Sequence, residues 1–167
     1  MARSGIFSYF KLLFLLIILS ACSFDPANTE YAIDITESGR ALLKDGIYEE
    51  SAAPGSASKI IVRLDTPRVF GDINGEGTDD AAIILNAEGG GSGTFSYLAV
   101  VLDYSGSPAA LDAVLIGDRV SVESVEISDD EVHVDYLGRA SGESMSDTPT
   151  VKQRKSFRFE NGELAPL

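Results

Sequence analysis

The sequence predicts a mainly β fold, an antiparallel meander that forms a sandwich or an open barrel. From Lys59 onward, apolar residues recur with a period of two, which places alternate side chains on opposite faces of a strand. Turn-forming residues separate these segments at short intervals. No helical pattern of about twelve residues or more follows residue 22. Together these observations favour packed antiparallel strands.

Residues 31–51 allow two interpretations. The tetrapeptide at 41–44, Ala-Leu-Leu-Lys, favours a helix, whereas Lys44-Asp45-Gly46 is typical of a tight turn between two short strands. We expect the hairpin. Residues 51–58 are rich in Ala, Gly, Pro and Ser, and they predict a loop.

Three alternating segments predict strands with a single core face: residues 60–64, 132–136 and 157–159. Residues 81–85 and 97–102 are near-continuous apolar runs instead, which is typical of strands covered on both faces. We therefore expect these two strands at the centre of the sheet.

The apolar positions between residues 120 and 127 change phase, which would turn part of a regular strand away from the core. A β-bulge near Glu123 and Ser124 would restore the register. Residues 105–108, 128–131 and 161–162 carry the Ser, Asp, Asn and Gly of tight turns, so we expect the chain to reverse there.

The first 21 residues predict an export signal. Arg3 and Lys11 make the N-terminal flank positive, and the apolar stretch 12–19 is too short to cross the roughly 30 Å hydrocarbon core of a bilayer. A charged flank, a short apolar core and a small-residue exit are typical of a cleavable signal peptide. An ordinary secretory signal followed by an unmodified Cys22 is the alternative.

The residues Leu19-Ser20-Ala21-Cys22 resemble the Leu-x-(Ala/Ser/Gly)-Cys lipobox of bacterial lipoproteins. The resemblance implies cleavage before Cys22, a diacylglycerol on its thiol and usually an acyl chain on its new amino group. Two chains anchor a protein stably, because each buried methylene contributes about 0.8 kcal/mol. Ser23 at the next position implies the outer membrane in a Gram-negative source, and the exported side of the cell membrane otherwise.

The predicted organisation is a signal peptide (1–21), a lipidated cysteine with a short tether (22–30) and a single β-rich domain (31–167). Cys22 is the only cysteine, so a lipidated chain has no thiol left for a disulfide or a metal. Without residues 1–21 the chain has 11 basic and 26 acidic residues, a formal charge of −15. Such an acidic domain is a poor nucleic-acid binder. The basic residues Lys152, Arg154, Lys155 and Arg158 predict a solvated strand face.

Residues 71–80, Gly-Asp-Ile-Asn-Gly-Glu-Gly-Thr-Asp-Asp, carry a pattern suited to calcium. A hard cation takes about six to eight oxygen ligands, and here acidic or amide side chains recur at every second position beside glycines. The predicted ligands are Asp72, Asn74, Glu76, the Thr78 carbonyl and Asp80. The pattern resembles the calcium loops of integrin-type propeller repeats and, more loosely, those of EF-hands and dockerins.

Two departures weaken the calcium interpretation. Glu76 replaces the usual Asp at the fifth loop position, and Ile83 stands where an EF-hand has its bidentate Glu, which excludes a true EF-hand. A turn whose Asp and Asn side chains bond their own backbone is the alternative. Against it, the crowded carboxylates repel one another unless a cation or a basic side chain such as Arg68 is near. Both interpretations stay open, and we expect any calcium site to be structural.

Three further features suggest chemistry only weakly. Residues 89–94 are glycine-rich but lack the following helix of a phosphate-binding loop, and they predict a hairpin loop. His133, the only histidine, has the position of an outward-facing strand residue. A glycosidase pair such as Asp103 with Asp112 or Glu123 is conceivable, but no spacing singles it out.

Residues 54–59, 71–75, 91–97 and 115–119 resemble a recurrent group of uncharacterised bacterial secreted proteins and lipoproteins. The resemblance implies membership of that group and transfers no activity. Two functions remain. The first is a noncatalytic, membrane-tethered domain that binds an envelope protein or glycan, with residues 88–94 as a contact. The second is a hydrolase that acts on envelope glycans or peptides through carboxylates. The absence of a Gly-x-Ser-x-Gly motif and of a free thiol favours the first.

Overall fold

The structure, a computed structural model, describes residues 25–104 and 106–167. The predicted signal peptide and Cys22 lie outside these residues. A short 3₁₀ helix, Pro26–Asn28, precedes twelve strands. The strands are β1 (Glu30–Ala32), β2 (Arg40–Leu42), β3 (Ile47–Ser51), β4 (Lys59–Gly71), β5 (Asp80–Glu88), β6 (Phe95–Asp103), β7 (Pro108–Ala110), β8 (Val114–Asp118), β9 (Ser121–Ser128), β10 (Glu131–Gly138), β11 (Val151–Glu160) and β12 (Glu163–Pro166). Within the described part of the chain, no helix has the length and apolar character to span a membrane.

The strands form two antiparallel meanders that pack face to face, which confirms the predicted β sandwich. The larger sheet has the order β3-β4-β5-β6-β7, and β8 pairs with another part of β6. The smaller sheet has the order β12-β11-β10-β9, and β1 pairs with β2 separately. The predicted reversals at residues 128–131 and 161–162 are confirmed. Asp129 and Asp130 turn the chain with φ of 52° and 62°, and Asn161 and Gly162 with φ of 53° and 90°.

Strands β5 and β6 are buried on both faces, which confirms the prediction made from their continuous apolar runs. Their even-numbered residues pack against the smaller sheet, as Ile84, Leu98 and Val100 do. Their odd-numbered residues, such as Ile83 and Val101, belong to a second core on the opposite face. Burying a side chain of this size stabilises the fold by about 1.5–3 kcal/mol, so both layers contribute to stability.

The second core is covered by β1, β2 and the residues beside them. Tyr31, Ile33, Ala41 and Leu43 are buried against the larger sheet. The chain is extended at 41–44 rather than helical, and Lys44 to Ile47 makes the predicted tight turn, with Asp45 and Gly46 at positive φ. The turn does not join a continuous hairpin, because β2 pairs with β1 whereas β3 pairs with β4.

The predicted bulge in β9 is confirmed. Asp135 pairs with Ser124, whereas its neighbour Tyr136 pairs with Val122, so Glu123 is the extra residue. The bulge lets Val122 and Val125 both face the core although an odd number of positions separates them.

Candidate functional site

The loop between β4 and β5 contains four of the five predicted metal ligands, and the fifth, Asp80, is the first residue of β5. Asp72 begins the loop, and its carboxylate accepts three backbone hydrogen bonds: Oδ1 from Gly75 at 2.8 Å and Glu76 at 3.1 Å, and Oδ2 from Gly77 at 2.8 Å. Asn74 Oδ1 also accepts from the Glu76 N–H at 3.1 Å. These are the side-chain-to-backbone contacts of the turn interpretation, and they order the loop.

Asp80 fixes the other end of the loop and is fully buried. Its Oδ2 accepts from the Ile73 N–H at 2.9 Å, and its Oδ1 accepts from the Asp103 N–H at 2.9 Å. The carboxylate therefore joins the start of the loop to the end of β6. Burial raises the pKa of Asp80, and the backbone donors oppose that rise because they favour the ionised form.

Thr78 also ties the loop to β6. Its hydroxyl lies 2.8 Å from the Asp103 carbonyl and 2.5 Å from Glu76 Oε1, and its single proton serves one acceptor at a time. Across residues 25–104 and 106–167, no three His, Cys, Asp or Glu side chains are grouped so that they could hold a metal ion. The carboxylates of Asp72 and Asp80 are directed at backbone N–H groups.

The carboxylates considered for a glycosidase pair lie in three different parts of the fold. Asp103 ends β6 beside the β4–β5 loop, and its Oδ1 accepts from the Gly106 N–H at 2.8 Å. Asp112 follows β7 and pairs with Ala32 of β1. Glu123 is the bulged residue of β9 in the other sheet. The structure therefore does not bring either predicted pair together.

His133 faces away from the core on β10, as predicted, and contacts two strand neighbours. Its Nδ1 lies 2.8 Å from Ser156 Oγ, and its Nε2 lies 3.7 Å from Glu131 Oε2. Sequence reasoning missed this Ser–His–Glu row, because the register of β10 on β11 creates it. A hydrolase also needs donors aimed at the reacting oxygen. In a sheet the backbone N–H groups point along the ladder rather than out of the face, so the row is a cross-strand surface network.

The basic residues of β11 are divided between the two faces of the strand. Arg154 binds Asp135 through both carboxylate oxygens, at 2.6 and 2.7 Å, and Arg158 pairs with Glu131. The Arg154 contact lowers the pKa of Asp135 to about 2. The outer face is thus a ladder of paired charges, consistent with the predicted solvated face.

Lys155 points to the other side of β11 and reaches the larger sheet. Its Nζ donates to the carbonyls of Leu115 at 3.1 Å and Ile116 at 3.0 Å, both on β8. A charged side chain placed at the edge of a sheet discourages the addition of another strand, so Lys155 protects this edge.

A groove lies beside Lys155, between β8 and the β11–β12 hairpin. It encloses about 330 Å³ and is lined by Val114, Arg154, Lys155, Ser156, Phe157, Pro166 and Leu167; we call it the β8–β12 groove. Leu167 in this lining is 62% exposed. The groove combines concavity with accessible apolar surface, which is typical of a protein-binding surface.

The glycine-rich residues 89–94 join β5 to β6 as a hairpin loop, as predicted. A Cβ added to Gly90, which has φ of 79°, would lie 3.0 Å from the Ser58 side chain, so the loop packs closely on the 52–58 loop. The Thr94 N–H donates to Asp118 Oδ1 at 3.2 Å. These contacts hold both ends of the loop to the domain.

The first described residues are packed on the domain, although they fall within the predicted tether. Asp25 caps the 3₁₀ helix by accepting from the Ala27 N–H at 3.0 Å. The Ala27 carbonyl accepts from the Gly46 N–H at 2.8 Å, and the Pro26 carbonyl accepts from the Tyr31 hydroxyl at 2.8 Å. The described chain is therefore packed on the domain from Asp25 onward.

No protein-family model, no curated protein and no solved structure matches this chain.

Proposed function

We propose that this chain is a bacterial lipoprotein whose β sandwich binds an envelope protein without catalysis. The signal-like segment 1–21 is removed, and Cys22 carries the lipids that hold the domain on the exported side of the cell membrane or on the outer membrane. The sequence supports the anchor through Leu19-Ser20-Ala21-Cys22. The observation that carries the binding function is the β8–β12 groove, whose lining includes the exposed Leu167.

The chemistry of the β8–β12 groove favours an apolar segment of a protein over a glycan. Four of its seven lining residues are apolar, Val114, Phe157, Pro166 and Leu167, and Leu167 is 62% exposed. Lys155 occupies the Leu115 and Ile116 carbonyls of β8, which favours recognition through side chains over an added strand. Apolar anchors in such grooves supply most of the affinity of protein interfaces.

The binding test compares two exposed leucines. Leu167→Asp places a charge in the groove lining, where Leu167 is 62% exposed, whereas Leu42→Asp places the same charge on the β1–β2 cover, where Leu42 is 48% exposed. Crosslinking of the anchored protein in whole cells should give a stoichiometric partner that Leu167→Asp loses and Leu42→Asp retains. Equal loss, or equal retention, contradicts binding at the groove.

The same preparations should be screened for glycan and peptide hydrolysis. The hydrolase alternative needs paired carboxylates, and Asp103, Asp112 and Glu123 lie apart. Turnover that a single-carboxylate variant abolishes would favour the hydrolase. A partner that is bound without turnover favours the binding domain.

We also propose that calcium stabilises the β4–β5 loop through Asp72, Asn74, Glu76, Thr78 and Asp80. The support is the recurrence of oxygen-bearing residues and the mutual repulsion of the loop carboxylates. Asp72→Ala is a poor test, because it also removes three backbone hydrogen bonds. Glu76→Gln is sharper, since Glu76 is exposed and its amide analogue can still accept from Thr78.

Millimolar calcium should raise the melting temperature of the wild type, magnesium should raise it less, and Glu76→Gln should reduce the calcium effect. An equal melting temperature in calcium and in a chelator would contradict the site.

A further inference from the structure

Residues that are packed on the domain lie very close in sequence to the predicted anchor. Only Ser23 and Phe24 separate Cys22 from Asp25, so three Cα steps join them, and a fully extended chain spans at most about 11 Å over that distance. A domain of this size has a radius of gyration of about 14 Å. The tether is therefore shorter than the domain is wide, and the domain cannot turn freely above the lipid surface.

The packing of residues 25–28 determines which surface is held down. These residues contact the Lys44–Ile47 turn: the Asp45 N–H donates to Asn28 Oδ1 at 3.0 Å, and the Gly46 N–H donates to the Ala27 carbonyl. The Gly46 carbonyl in turn accepts from the Leu64 N–H of β4 at 2.8 Å. The chain thus enters the domain beside β4, close to the residue at which β3 begins.

A shallow depression of about 440 Å³ lies at this entry point. We call the surface around it the anchor-proximal surface, and its lining includes Ala27, Asp45, Ile47, Arg63, Asp65 and Arg68. Ile47 is 44% exposed. Arg68 is also exposed and forms no hydrogen bond or ion pair with the described residues, while its charge acts on Asp25. One accessible guanidinium and one apolar side chain therefore face outward together.

The charge of this surface differs from that of the whole domain. Within the lining of the depression, Arg63 and Arg68 balance Asp45 and Asp65, and Arg63 also pairs with Glu88 at 3.4 Å. The chain after Cys22 carries −15, which an anionic leaflet repels. A locally neutral surface with exposed arginines can approach lipid phosphates at lower cost than the acidic surface elsewhere.

The β8–β12 groove lies at the opposite edge of the sandwich. In the larger sheet β4 is next to the edge strand β3, whereas β7 and β8 lie at the other edge. The strands of the smaller sheet lie over the larger sheet in the same sense. Strand β9 packs near β4, with Ile127 against Gly71, and Lys155 of β11 reaches β8. Holding the β4 side down therefore turns the groove outward.

We propose that the anchor-proximal surface lies on the bilayer that holds Cys22, with Arg63 and Arg68 at lipid phosphates and the β8–β12 groove facing away. This orientation rests on the proposed lipid anchor. It makes the membrane itself the second binding partner of the domain, and it presents the groove to an envelope protein.

The test uses lipidated protein in vesicles that contain anionic phosphatidylglycerol. A fluorophore is attached to one engineered cysteine, either Ile47→Cys or Leu115→Cys, since the acylated Cys22 thiol does not react. The two side chains are 44% and 45% exposed on β3 and β8, so they form a matched pair. Spin-labelled lipid headgroups should quench the Ile47→Cys label several-fold more than the Leu115→Cys label. Equal quenching, or stronger quenching at Leu115→Cys, overturns the orientation.

Two further measurements separate the causes of failure. The intact mass shows whether Cys22 carries lipid, with Cys22→Ala as the control, and an unlipidated wild type refutes the proposed function. A lipidated protein with equal quenching refutes only the orientation. Arg63→Gln together with Arg68→Gln should lower quenching of the Ile47→Cys label, and unchanged quenching overturns the role given to the two arginines.

Discussion

Replacing Asp80 by alanine should unfold the β4–β5 region first and lower the stability of the whole domain. The carboxylate is fully buried, and its loss leaves the N–H groups of Ile73 and Asp103 without their acceptor. Each buried donor left unsatisfied costs about 1–3 kcal/mol. Removing a carboxylate that burial disfavours offsets part of this cost. We expect a net loss of about 3 kcal/mol.

The predicted loss is large enough to measure by thermal and urea unfolding followed by circular dichroism. Unfolding entropy of about 2.1 cal/mol/K per residue converts it into a fall in melting temperature of about 10 °C for a domain of this size. Asp112→Ala is the control, because Asp112 is exposed and its side chain forms no hydrogen bond with described residues. It should change stability by less than about 0.5 kcal/mol. If both variants unfold together, Asp80 does not fix the loop as described.

Three other predictions follow from named contacts. Burial, reinforced by the Asp34 hydrogen bond, raises the pKa of Tyr97 to about 12, so its stabilisation is complete below the ordinary value of 10.0 and is lost as pH rises through about 12. The urea midpoint of Tyr97→Phe should therefore fall less with rising pH over that range than the midpoint of the wild type. Equal falls in the two proteins contradict the assignment. Arg154 lowers the pKa of Asp135, so the pair stabilises the fold above the ordinary value of 3.8, and this contribution is lost as pH falls through about 2. In Asp135→Asn the free energy of unfolding should therefore fall less steeply with decreasing pH over that range. An unchanged dependence on pH counts against the pair. Lys155→Met frees two β8 carbonyls and should cause concentration-dependent association in light scattering, whereas a variant that stays monomeric shows that the edge is protected otherwise.

Much of the sandwich could be predicted because apolar spacing reports directly on burial. The continuous runs at 81–85 and 97–102 have no polar face, so both sides had to be covered, and they are. The phase change in β9 required an extra residue, and Glu123 supplies it. Short-range rules of this kind depend only on neighbours in sequence.

What covers the second face of β5 and β6 could not be predicted in the same way. Residues 31–43 combine short strands with turns; β1 pairs locally with β2, but the residues on which both strands pack lie far along the chain. Likewise, nothing in the spacing of the basic residues shows that Lys155 leaves the face of Arg154 to reach β8. Such contacts arise from tertiary packing, which overrides local preference.

The spacing of acidic and amide residues predicts where the β4–β5 loop lies, but it does not determine which groups their side chains contact. Acidic and amide side chains at every second position can surround a cation or can accept from backbone N–H groups, and both arrangements need the same glycines. In the structure, Asp72 and Asp80 take the second role. The spacing identifies an ordered loop, and the direction of each carboxylate decides its chemistry.

The two-sided burial of β5 and β6 also determines the order in which the chain can fold. Tyr31 and Ala41 leave the synthesis machinery first, yet the residues they cover, such as Ile83 and Val101, come much later. Until β5 and β6 have formed, β1 and β2 have no surface to pack against, and contacts between residues so far apart in sequence form slowly. We therefore expect the cover to be the last layer acquired, so the segment nearest the start of the domain completes its folding.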